Sequence, residues 1–162
     1  GIPTKIGDYL VSGSAVTTIT FSSLDINTHK MYILIINFKN ATASASNLAI
    51  YVNNDQTPTN YYKQYHGADG ATASQGRSND SVFSAIPVSN RVAVIMFIFR
   101  DPDGYFRFRT IAVPSTGSTV TIENIAGSKT ATVTNITQLD IVASVANSIG
   151  IGSRAMLFKV SA

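Results

Sequence analysis

Acid–base and nucleophilic chemistry draw mostly on histidine, cysteine and paired carboxylates, and this chain has two histidines, one glutamate and no cysteine. His29 stands between Thr28 and Lys30 at the start of an apolar segment, where exposure is expected. His66 closes a tyrosine-rich segment beside Gly67. No Gly-x-Ser-x-Gly elbow accompanies either, so a structural or surface imidazole outweighs a catalytic one. A single glutamate weakens a glycosidase reading, although two aspartates could do that chemistry. Asp101 and Asp103 are accounted for by the turn Asp101-Pro102-Asp103-Gly104. Without cysteine there is no disulfide, no thiolate nucleophile and none of the common structural zinc sites. Asn53, Asn54, Asp55, Asp69 and Asp80 could offer oxygens to calcium, but no EF-hand spacing supports it and turn formation explains them. These residues predict a protein that is not an enzyme and needs neither metal nor cofactor.

Two further motifs fail for lack of context. Gly127-Ser128-Lys129-Thr130 has the tail of a phosphate loop but not its upstream glycine or following helix. Gly104-Tyr105-Phe106-Arg107-Phe108 has the look of an RNA-binding strand, in a chain without that domain's two helices. Period two is the simpler account: Phe106 and Phe108 enter a core while Arg107 and Arg109 line the opposite face. Tyr61, Tyr62 and Tyr65 form one aromatic cluster, in which Tyr61 and Tyr65 share a face and Tyr62 takes the other. Tyrosine joins a large rigid ring to a hydroxyl, which suits sugar or protein contacts.

The elements that position these residues are strands. Apolar segments of about five to ten residues, rich in β-branched and aromatic types, alternate with clusters of Gly, Asn, Asp, Ser and Pro. Thr17, Ile19 and Phe21 share one face of the first clear strand. Met31 to Phe38 and Val92 to Phe99 are apolar on both faces, which predicts burial on both sides. Gly67 to Asp80 reads as a long polar loop. Ala126 to Lys129 reads as a polar turn, and Met156, Phe158 and Val160 as one side of the closing strand. No convincing helix is present. The expected fold is all-β: an antiparallel two-sheet sandwich, jelly-roll-like, of about 8–10 strands. Residues 1–11 are expected to form an extended arm and residues 12–162 a single sandwich domain.

Bulk properties agree with this. The 162 residues (17.3 kDa) are 44% hydrophobic and 13% charged, too apolar for disorder and too poor in charge for a helical bundle. A net charge of +3 is too small to argue for nucleic acid. The longest apolar run, Val92 to Phe99, falls short of the roughly 20 residues of a membrane helix.

Several segments, in order, resemble a family of bacteriophage virion proteins, small β-sandwich modules of the tail-fibre or head-associated type. They are Ile19-Thr20-Phe21-Ser22-Ser23-Leu24, Tyr32 to Phe38, the turn Asn40 to Asn47, and Ile50-Tyr51-Val52-Asn53-Asn54-Asp55 with Asn60-Tyr61. Near the end, Ile136 to Ser144 and Gly152-Ser153 before Met156-Leu157-Phe158 complete the likeness. Phe158 and Lys159 depart from the Tyr and Gly common in that family. The resemblance implies a non-enzymatic virion component working as an oligomer on a symmetric particle. A short domain with no shaft favours a capsid decoration or cement protein, a homotrimer at the virion surface that bridges neighbouring subunits of the major capsid protein. The alternative is a receptor- or glycan-binding module of a tail fibre or spike. Candidate interchain or ligand contacts are Tyr61, Tyr65, His66, Asp69, Arg77, Arg107 and Arg109.

Overall fold

A computed structural model describes residues 1–161. In chain order the elements are β1 (Thr4–Leu10), β2 (Thr18–Phe21), α1 (Ile26–His29), β3 (Met31–Lys39), β4 (Ser46–Val52), a 3₁₀ turn (Pro58–Asn60), β5 (Tyr61–Asp69) and β6 (Thr72–Ser78). There follow β7 (Val82–Ile86), β8 (Arg91–Arg100), β9 (Tyr105–Ser115), β10 (Ile122–Thr132), β11 (Leu139–Ala143) and β12 (Arg154–Val160). The strands form a wide sheet, β1-β12-β3-β8-β9-β10-β5-β6, and a narrow one, β2-β11-β4-β7. All the pairings are antiparallel. From β2 onward the chain passes repeatedly between the layers, so neighbours in the narrow sheet are never neighbours in sequence. That wrapping is the jelly-roll manner of closing a two-sheet sandwich.

Period-two alternation builds the core. Tyr32, Leu34, Ile36 and Phe38 of β3 face inward with Val92, Val94, Met96 and Ile98 of β8, all essentially buried. Ile19, Phe21, Leu48, Ile50, Val52, Leu139 and Ile141 meet them from the narrow sheet. Each such side chain contributes about 1.5–3 kcal/mol on full burial, which is why the two inner faces cannot separate.

Several expectations change in detail. The described residues contain twelve strands and a short helix, α1, capped by Asp25, whose side chain accepts from the Asn27 amide. Gly67 to Asp80 is not a loop: most of it is the β5–β6 hairpin, closed by the two-residue turn Gly70-Ala71 with Gly70 at φ +57°. With no apolar side to its second strand, the hairpin gives no hydrophobic period to read. Ala126 to Lys129 is not a turn but the middle of β10, with Ala126, Gly127 and Ser128 paired on both sides and Lys129 paired with Tyr61 at an irregularity in the β9 pairing. Glycine is required there because a Cβ on Gly127 would lie 2.2 Å from the Phe108 ring. On β12 the buried residues are Ala155 and Leu157; Met156, Phe158 and Val160 occupy the half-buried opposite side.

Residues 4–10, within the segment read as an arm, lie along β12 as an edge strand, Thr4 opposite Lys159 and Leu10 opposite Arg154. Asp8 forms ion pairs with Lys5 and Arg154 along this edge.

Replacing Gly127 by alanine should cost about 1–3 kcal/mol, since the Phe108 ring it would meet is buried and packed against Phe106. Thermal denaturation would detect it as a drop of several degrees; an unchanged midpoint would refute the close-packing argument.

Candidate functional site

The side of the wide sheet that faces away from the narrow one carries the site. Strand register places Arg109 opposite Ala126, Ala126 opposite Gln64, and Gln64 opposite Arg77, giving one row across β9, β10, β5 and β6. In the adjoining row Phe99 lies opposite Arg107, Arg107 opposite Ser128, and Ser128 opposite Tyr62. Small residues on β10 between long ones on either side make a groove of about 690 Å³, within the size range of small-ligand sites.

Its charges are unequally engaged. Arg107 Nε donates to Asp101 Oδ2 at 2.8 Å and its Nη1 to the Tyr62 hydroxyl at 3.2 Å. Arg107 also lies over the Tyr105 ring, 5.2 Å from its centroid. Arg77 Nε donates to Gln64 Oε1 at 3.3 Å. Among the described residues neither Arg77 nor Arg109 has an acidic partner, and both are exposed.

Of the residues singled out from sequence, Arg77, Arg107 and Arg109 line this groove. His66 is exposed on the same face, opposite Asn124. Asp69 is exposed at the end of β5, beside the hairpin turn. Tyr61 corrects the expectation, because it is fully buried. Its hydroxyl donates to the Asp55 carbonyl at 2.8 Å and accepts from the Val52 amide at 3.0 Å, and its ring packs edge-on against Tyr51 and Phe106. Tyr65 is half-buried on that inner side, its ring over Gly76. Tyr62 is the exposed member of the cluster, at 42%. The alternation that separates Tyr62 from its two neighbours was visible in sequence; which of the two sides met solvent was not.

A second, smaller cleft of about 220 Å³ opens between the sheets, bordered by Lys63, Tyr65, Ser84 and Glu123. Ser84 Oγ on β7 donates to Glu123 Oε2 on β10 at 2.6 Å, tying one sheet to the other. Lys63 pairs with Asp80 at 2.8 Å. Burial pushes the Glu123 carboxyl up, against the lowering effects of Ser84 and Lys63. Nearby, Lys129 is buried and pairs with Asp55, which also accepts from Asn60. Burial raises Asp55, but Lys129 and Asn60 outweigh it and hold the carboxyl at about 2. His29 is engaged by the Tyr32 hydroxyl at 2.9 Å, and burial pushes that phenol up to about 12.

The described residues hold no group of three or more His, Cys, Asp or Glu side chains arranged for a metal, and no helix long and apolar enough to cross a membrane. No family model and no curated protein matches the sequence. Among solved structures, the CBM40 of a Ruminococcus gnavus IT-sialidase is similar at 10% identity and a TM-score of 0.38, over 96% of this chain and 92% of that one. A likeness so loose carries no argument about function.

Glu123 and Asp55 should respond to pH with opposite signs. A raised carboxyl holds its proton better in the fold than in the unfolded chain. Its stabilisation is therefore complete below its ordinary value of 4.5 and is lost as pH climbs through the raised value. A lowered carboxyl stabilises above its ordinary 3.8 and loses that contribution as pH falls through about 2. Thermal scans should find Glu123→Gln more stable than the parent chain at pH 7 and equal to it at pH 4. Asp55→Asn should be less stable at pH 7, with the gap closing toward pH 2. The same gap at both pH values for either variant would contradict these assignments.

Proposed function

We propose that this chain is a structural protein of a bacteriophage virion, a decoration or cement protein on the outside of the head that bridges neighbouring capsid subunits. One observation carries the reading: the part of the wide sheet's outer side formed by β3, β8 and β9 is apolar, and among the described residues no layer covers it. Ile35, Ile95 and Ile111 lie side by side across β3, β8 and β9, with Ile95 at 44% and Ile111 at 49% exposure. Ile33 and Phe97 flank them in the next row, and Val113 continues the band on β9. Contiguous apolar surface of this kind marks a place where another protein sits. Both borders of the sheet add to it, because β1 and β6 each turn one row of backbone amides and carbonyls away from the fold, ready for strand addition by a neighbour. The order of segments that resembles phage virion modules supports the same reading. The role is non-catalytic, and the partners are the major capsid protein and further copies of this chain, as a trimer.

The groove favours a second reading, a glycan-binding module of a fibre or spike. It combines exposed aromatic rings with guanidinium and amide donors, which is the chemistry sugars require.

Purified virions examined by mass spectrometry and electron microscopy should contain this chain on the head surface. Ile95→Lys with Ile111→Lys should abolish incorporation without lowering the thermal midpoint of the free protein. Absence from the particle, or normal incorporation of the double variant, would overturn the structural role.

A further inference from the structure

We propose that the groove over Ala126 binds an acidic oligosaccharide, its carboxylate or sulfate groups meeting Arg77 and Arg109 and its sugar rings lying between Tyr62 and Phe99. The proposal rests on the glycan-binding reading above and narrows it to charged sugars. Arg107 is already committed to Asp101 and Tyr62, so it shapes the groove wall. Arg109 and Arg77 differ: both are exposed, and neither has an acidic partner among the described residues. Arg77 gives only its Nε to Gln64, which leaves its terminal nitrogens for a ligand. A guanidinium presents paired donors in a plane, the geometry that carboxylates and other oxyanions accept in two bonds at once.

The spacing suits an extended ligand. Three strand intervals separate the backbones of Arg109 and Arg77, roughly 14 Å, which two long side chains can narrow from opposite sides. Between them lie Ala126, a low floor beside Arg109, and Gln64, whose side-chain amide holds Arg77 and can also meet a sugar hydroxyl. Further along the strands, Asn124, His66 and Gln75 form the next row, with amide and imidazole groups suited to hydroxyls. Two free guanidiniums and a net charge of +3 fall short of the multiple phosphate contacts that nucleic acid binding uses. An acidic peptide would leave the hydroxyl-directed row unused.

The test titrates the 162-residue chain with oligogalacturonate, sulfated dextran oligomers, neutral dextran oligomers, poly-glutamate and oligothymidylate, by calorimetry and amide chemical shifts. The charged sugars should bind at least about tenfold more tightly than neutral dextran, a difference of about 1.4 kcal/mol. Shifted amides should cluster at 62–66, 75–77 and 124–128, a readout that needs no variant to fold. Arg77→Ala with Arg109→Ala should erase the preference for charge, while Arg91→Ala should leave it intact. If charged and neutral sugars bind equally and Tyr62→Ala weakens both, the glycan reading stands and the acidic specificity falls. If no saccharide binds, both fall. If poly-glutamate or oligothymidylate binds as tightly as the charged sugars, the assignment to saccharide is overturned.

Discussion

A four-stranded sheet cannot cover both sides of an eight-stranded one, and the rest of this molecule follows from that inequality. The narrow sheet shields one side of the wide sheet and drives the side chains there out of water. Among the described residues no layer covers the other side. Strands β3 and β8 nevertheless carry apolar residues on both sides, so the second set stays partly in solvent. An ordinary single-domain surface spreads its apolar atoms thinly; here they are gathered in register. The same side holds the groove, so its apolar band and its charged trough are two ends of one surface.

Many polar groups inside the sandwich are paired, although among the described residues the Ser81 and Thr110 hydroxyls have no hydrogen-bond partner. Tyr61, Asp55, Asn60 and Lys129 satisfy one another, and Lys129 also lies over the Tyr61 ring at 5.1 Å. Ser84 and Glu123 join the two layers directly. Removing one member of such a set strands its partner in a poor solvent for charge, so these contacts fix how the layers meet more than they add to net stability. On β10 close packing also shapes the groove. Gly127 is pressed against Phe108 from within, and its neighbours Ala126 and Ser128 leave a low floor on the outside.

Much of the architecture was legible in the residues. The Asp101 to Gly104 turn, the inward Phe106 and Phe108, and the shared side of Ile19 and Phe21 were each readable from period-two alternation or turn chemistry. Less of the candidate site was. The β5–β6 hairpin lacks an apolar side on β6, so its small polar residues looked like a loop, although Gly70-Ala71 is a two-residue hairpin turn. Gly127, Ser128 and Lys129 looked like a turn because their composition is that of turns. Only the Phe108 ring explains the glycine, and only Asp55 explains the buried lysine.

Alternation along a strand divides its residues into two sets, and that much is written in the order of amino acids. It put Tyr61 with Tyr65 and Tyr62 apart from them, Phe106 with Phe108 and Arg107 with Arg109. It could not say which set of a doubly apolar strand would meet the second layer, because hydrophobicity is the same on both sides. The packing of the narrow sheet made that choice, burying Tyr61 and leaving Tyr62 in solvent. The groove likewise exists only after folding: Arg109, Ala126, Gln64 and Arg77 come from four strands, brought into one row by the register of their pairing, which hairpin turns and inner-side packing fix.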